Sequence, residues 1–176
     1  LDGARWSVAT IGHWIVIWLL AWVLSDEVGT TTSFVWAGVI SAVLLFQASF
    51  ALYWRQEKLA TLDTPSVQTQ LRTFTLSAWA IGFCWAAGGI ALFPVNSQEM
   101  QLFLVFVMGG MSLAAVGTQH VYLPACFGSM GIALPILAIR YGVDGRWIES
   151  LLLVLYTFVI LRLARMLSHF SLRTIN

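Results

Sequence analysis

The chain has 176 residues, 59% hydrophobic and only 10% charged, with a mean hydropathy of +0.83. A soluble domain carries about 25% charged residues, so an ordinary soluble enzyme and a disordered tail are both excluded. Nine Lys and Arg against eight Asp and Glu leave a net charge of +1, which gives no basic field for nucleic acid.

A helix needs about 20 mainly apolar residues to cross about 30 Å of hydrocarbon, and six segments qualify. The first, Val8–Leu24, is closed by Ser25-Asp26-Glu27. The second, Thr32–Trp54, is closed by Arg55-Gln56-Glu57-Lys58, and a polar stretch containing Pro65 then reaches Arg72. The third, Phe74–Phe93, stops at Pro94, which has no N–H to donate. The fourth, Met100–Thr118, joins the fifth, Val121–Tyr141, through Gly117-Thr118-Gln119-His120, a junction short enough for a tight antiparallel hairpin. Within the fifth, Pro124 and Pro135 are expected kink points, and Gly142 and Asp144-Gly145 end it. The sixth is Trp147–Met166. Barrel strands would alternate in polarity, but Ile15–Val23 and Leu151–Leu161 are apolar on nearly every face. The expected fold is therefore an all-α membrane protein, a six-helix transmembrane bundle over residues 1–167, with residues 168–176 starting a cytoplasmic linker. The chain begins at Leu1 and ends on a polar helix-like stretch, which reads as part of something longer.

Placing the charges orients the bundle. With a cytoplasmic N-terminus, the inner side holds Arg5, Arg55, Lys58, Arg72, Arg162, Arg165 and Arg173, seven of the nine basic residues. The outer side holds Arg140 and Arg146 with Asp26, Glu27, Glu99, Asp144 and Glu149. Both termini are then cytoplasmic, and Arg162 snorkels from the inner end of the sixth helix.

Ionisable residues inside the membrane are the first place to look for function, and no Asp, Glu or Lys lies near a helix centre. That argues against a proton relay or an ion-coupled transporter. Gln47, Ser49, Ser77 and Ser112 are neutral candidates, expected to bond between helices. The rhomboid protease pattern is missing: Gly128-Ser129-Met130-Gly131 lacks its spacing and His169 lies beyond the sixth helix. Aquaporin half-helices are excluded because the chain's only Asn residues are Asn96 and Asn176. His13 and His120 share the inner leaflet and are candidate haem or transition-metal ligands, with Cys126 nearby. Cys84 and Cys126 both sit in apolar runs and otherwise read as small core residues. The small residues of the fourth and fifth helices favour close packing over a ligand cleft, and Trp14, Trp18 and Trp22 share one helix face.

One resemblance adds to this. Residues 85–94 (Trp-Ala-Ala-Gly-Gly-Ile-Ala-Leu-Phe-Pro) close the third helix, and 101–111 (Gln-Leu-Phe-Leu-Val-Phe-Val-Met-Gly-Gly-Met) open the fourth. Tyr122-Leu123-Pro124-Ala125 opens the fifth, Leu134-Pro135-Ile136-Leu137-Ala138-Ile139-Arg140 closes it, and the sixth runs into Leu161-Arg162-Leu163-Ala164-Arg165-Met166. With these, residues 74–167 resemble the membrane-associated sensor (MASE-type) regions that precede the catalytic part of bacterial sensor histidine kinases and diguanylate cyclases. The resemblance implies a non-catalytic sensory input in the bacterial inner membrane. It implies relay through the sixth helix past Arg162 and Arg165, a homodimer, and a stimulus such as a small apolar ligand or a membrane property. A small transporter or channel subunit and a haem-binding membrane protein stand as alternatives.

Overall fold

The computed structural model describes residues 3–57, 64–119 and 122–175, with side chains at 10–50, 68–119, 122–129 and 131–170. The described residues are helical and contain no strand. Among the described residues six stretches are long and apolar enough to cross a membrane: Thr10–Val28, Thr30–Phe50, Gln68–Ala91, Gln98–Gln119, Leu123–Val143 and Trp147–Phe170. Such a set of helices is that expected of a multi-pass membrane protein.

Helices α1 (Gly3–Val28) and α2 (Thr30–Glu57) form a hairpin with Gly29 alone between them. Its φ of 93° is a left-handed conformation that only glycine adopts freely. The Gly29 N–H donates to the Ser25 carbonyl at 3.0 Å. The Ser33 N–H and hydroxyl both donate to the Gly29 carbonyl at 3.2 Å. The polar stretch expected from Arg55 to Arg72 is largely helical, because α2 continues to Glu57 and α3 (Thr64–Ala91) starts well before Phe74. Hydropathy reports where the hydrocarbon ends, not where the helix ends, and Gln, Arg and Glu are good helix formers in water. Pro65 falls in the first turn of α3, where its missing N–H costs little.

The fifth span departs from the expected single helix. It is split into α5 (Leu123–Met130) and α6 (Ala133–Val143), with a turn at 131–132, after α4 (Gln98–Gln119). Pro135 explains the position. Its ring clashes with the carbonyl four residues earlier, Gly131, and it offers no N–H to that oxygen. The Gly131 N–H closes α5 on Phe127 at 2.8 Å, and the ladder restarts from the Ile136 N–H to Ile132 at 3.2 Å. Pro124 makes no kink, because it occupies the first turn of α5. At the far end of α6 the Arg146 N–H reaches back to Tyr141 at 3.0 Å and the Gly145 N–H to Gly142 at 3.1 Å. With Gly145 at φ 76°, this is a Schellman motif, and it turns the chain into α7 (Trp147–Ile175).

Helix α3 lies at the centre, packed on α2, α5, α6 and α4, while α1 packs on α2 and α4 and α7 on α6, α4 and α5. The interior is apolar, with Ile17, Leu24, Ile40, Leu104, Leu134 and Ile160 fully or nearly fully buried. The outer faces are apolar too, with Trp22, Phe46, Phe106 and Phe158 exposed. In water such a surface would aggregate; facing lipid it is at home.

Aromatic side chains seated on glycines lock the helices together. The Trp36 Nε1–H donates to the Cys84 carbonyl at 2.8 Å. Gly88, one turn on, leaves room for that indole, since a Cβ there would lie 2.5 Å from Trp36 Nε1. The Tyr156 hydroxyl likewise donates to the Gly109 carbonyl at 3.0 Å, with its ring over the same glycine. Interhelical hydrogen bonds in membranes are worth about 0.6 kcal/mol on average and about 1.7 at most. Trp36→Phe keeps the ring and removes the donor, so it should cost about that range. The thermal midpoint of the detergent-purified protein reads it, and an unchanged midpoint would show that the indole N–H contributes nothing.

Candidate functional site

The candidate site is the contact between the divided fifth span and α7. At the start of α7 a polar knot lies among apolar helices. Gln101, in the first turns of α4, is 5% exposed. Its Oε1 accepts from the Arg146 guanidinium, and its Nε2 donates to the Pro94 carbonyl at 3.0 Å. Arg146 also donates to Glu149 Oε1 from Nε at 2.9 Å and Nη2 at 2.5 Å, and its guanidinium stands 5.1 Å from the centroid of Tyr141. Beside it Arg140 pairs with Asp144 at 2.5 Å and lies 4.6 Å from the centroid of Phe93, which meets Tyr141 edge-on at 5.1 Å. The two Arg and two acids cancel in charge, which lets the group lie against the membrane at modest desolvation cost. The knot ties the turn after α3 to the starts of α4 and α7 and the end of α6.

Further along α7, the Arg165 guanidinium lies 5.5 Å from the centroid of Phe127 on α5. α5 is held from two other sides. A Cβ on Gly82 of α3 would collide with the Gly128 carbonyl, and one on Gly128 would collide with the Trp79 indole, so the two backbones touch. The Ser129 hydroxyl donates to Gln119 Oε1 of α4 at 2.9 Å. α6, across the break, packs on α3 and α7. A shift of α5 against α6 therefore bears on α7 through Phe127.

The expected site residues fall as follows. Arg162 and Arg165 are exposed on α7, and only Arg165 has a ring contact among the described residues. His13 is half-buried on α1 and Cys126 is fully buried on α5, two helices with different main partners. His120 lies outside the described residues. Among the described residues no group of three or more His, Cys, Asp and Glu is placed to hold a metal ion. Ser77 and Ser112 do not bond between helices as expected. Their hydroxyls return to their own helix, at Phe74 (2.9 Å) and Met108 (2.8 Å), because a short hydroxyl reaches its own i−3 or i−4 carbonyl first. Trp22 and Trp18 of the Trp face are exposed, while Trp14 is half-buried and packs against the core.

Sequence reasoning passed over Gln101, Tyr141, Phe127 and the pairing of Arg146. Gln101 had a signal, a long amide one turn inside an apolar helix just after a proline. The 45-residue separation from Arg146 has none. No protein-family model matches the chain, and neither a curated protein nor a solved structure matches it.

Proposed function

We propose that this chain is the membrane-embedded sensory input region of a bacterial signalling protein. It sits in the inner membrane with both termini in the cytoplasm, and it relays a stimulus through α7 to a histidine kinase or diguanylate cyclase domain in a homodimer. One observation carries the reading: an unbroken output-type helix lies against a span that is broken. α7 runs 29 residues without interruption. At 1.5 Å per residue that is about 43 Å, well beyond the roughly 30 Å of hydrocarbon. A stiff rod of that length carries a displacement out of the membrane, and the 131–132 turn of the fifth span is where a displacement originates most cheaply. Arg165 over Phe127 couples the two, and the scarcity of intramembrane charge fits a device that moves helices rather than ions.

Kinase autophosphorylation or cyclic dinucleotide synthesis by the full-length protein in vesicles tests this. Phe127→Ala should change output severalfold while Phe106→Ala, at an exposed position of α4, leaves it alone. Saturable solute flux in proteoliposomes would instead establish the transporter alternative, which the divided fifth span also favours. A Soret band lost on His13→Ala and His120→Ala would establish the haem alternative.

A further inference from the structure

We propose that the seam between α1 and α2 binds a neutral, lipid-soluble molecule through a carbonyl oxygen held by Trp14 and Ser41. The proposal does not depend on the sensory reading. It starts from two buried polar atoms, Trp14 Nε1 and Ser41 Oγ, neither of which has a hydrogen-bond partner among the described residues. Ser41 is 7% exposed. Its isolation is a matter of orientation. Buried Ser33, Ser77, Ser112 and Thr157 all return their hydroxyls to a carbonyl three or four residues back. Ser41, on the same kind of helix, does not, and its buried hydroxyl is left without that available bond. Burying an unpaired N–H and an unpaired hydroxyl is unfavourable, and proteins rarely leave either.

The helix periodicity brings the two together. Trp18 of α1 meets Phe34 of α2, ring to ring, at 5.9 Å. Trp14 lies one turn before Trp18 on the same face of α1, and Ser41 lies two turns after Phe34 on the same face of α2. Both steps lead away from the Gly29 turn, about 6 Å and about 10 Å at 1.5 Å per residue, so the two atoms lie at similar depth. Between Phe34 and Ser41 on that face is Gly38, which is exposed and has nothing within 4 Å of the position its Cβ would take. Gly38 thus leaves a notch at the lipid edge of the seam, and the two donors lie buried behind it. The indole offers only a donor and the hydroxyl offers one as well, so one carbonyl oxygen, with two lone pairs, satisfies both. With no charge among Trp14, Trp18, Phe34, Gly38 and Ser41, the rest of the ligand is apolar. The carbonyl can belong to a free bilayer-dissolved ketone or ester, or to the ester of a membrane lipid.

The test uses the whole chain, labelled with ¹⁵N at the Trp indoles, in nanodiscs of dialkyl-ether lipid, which has no ester carbonyl. On titration with 2-dodecanone the Trp14 indole resonance, identified by its loss in Trp14→Phe, should move saturably while that of exposed Trp22 stays. Dodecane should move neither. Ser41→Ala should weaken the apparent affinity roughly three- to tenfold, as expected for one lost hydrogen bond. Gly38→Leu, which fills open space and leaves folding intact, should abolish the response. In diacyl-ester nanodiscs without ketone, a Trp14 resonance already at the shifted position assigns the natural carbonyl to lipid, and one at the unshifted position assigns it to a free molecule. A resonance that ignores the ketone, that moves equally with dodecane, or that responds unchanged in Ser41→Ala would overturn the proposal.

Discussion

Gly82→Leu should abolish the folded protein, and Gly128→Leu should destabilise it without unfolding it. A side chain at Gly82 meets the Gly128 carbonyl, which is backbone and cannot rotate away, so α3 and α5 must separate. A side chain at Gly128 meets the Trp79 indole instead, and Trp79 is 42% exposed and has lipid to move into. Overpacking costs about 1–3 kcal/mol and occasionally more, against a total stability of about 5–15 kcal/mol. The Gly82 change should lie above that range, because it parts two helices along their length, and the Gly128 change within it. Gly110 supplies the contrast. It lies in α4 with nothing within 4 Å of its Cβ position, so Gly110→Ala should gain about 0.5–1 kcal/mol from helix propensity alone. Monodisperse yield and thermal midpoint in detergent read all three. A folded Gly82→Leu protein with a wild-type midpoint would show that α3 and α5 do not touch there.

Breaking the polar knot should be the second large effect, and its signature is non-additivity. Gln101→Leu deprives Arg146 of its buried acceptor, and Arg146→Leu strands Gln101 Oε1 in an apolar surrounding. Each single change should cost about 1–3 kcal/mol, the penalty for an unpaired buried polar group. Gln101→Leu with Arg146→Leu together should cost less than the sum, because no partner is left to be unsatisfied. Glu149 softens the loss only in part, being itself a third exposed and screened. The Arg140–Asp144 pair, exposed to a similar degree but with no buried amide behind it, should be worth under about 1 kcal/mol when Asp144→Asn breaks it. Strict additivity at Gln101 and Arg146 would mean that the two do not share the bond.

Some of this was legible in the residues. Pro94 marked the end of α3 and Gly145 the end of the fifth span, because each carries a backbone constraint that acts locally. Pro135 marked a kink but not the full break at Gly131, which needed α5 to be gripped by α3 on one side while α6 was held by Tyr141 and Phe93 on the other. His13 and Cys126 were proposed as neighbours on depth alone, and depth gives no azimuth; they stand on α1 and α5, both of which pack on α4.

By itself the sequence determined six stretches apolar enough to cross a bilayer and the lack of Asp, Glu and Lys near their centres, because hydropathy and proline chemistry act over a few residues at a time. Only the tertiary structure decided which apolar faces meet lipid and which meet each other, where glycine lets two backbones touch, and that Gln101 answers Arg146. Those pairings depend on how helices dozens of residues apart are rotated against one another, and in a chain that is apolar on nearly every face no residue pattern encodes that rotation.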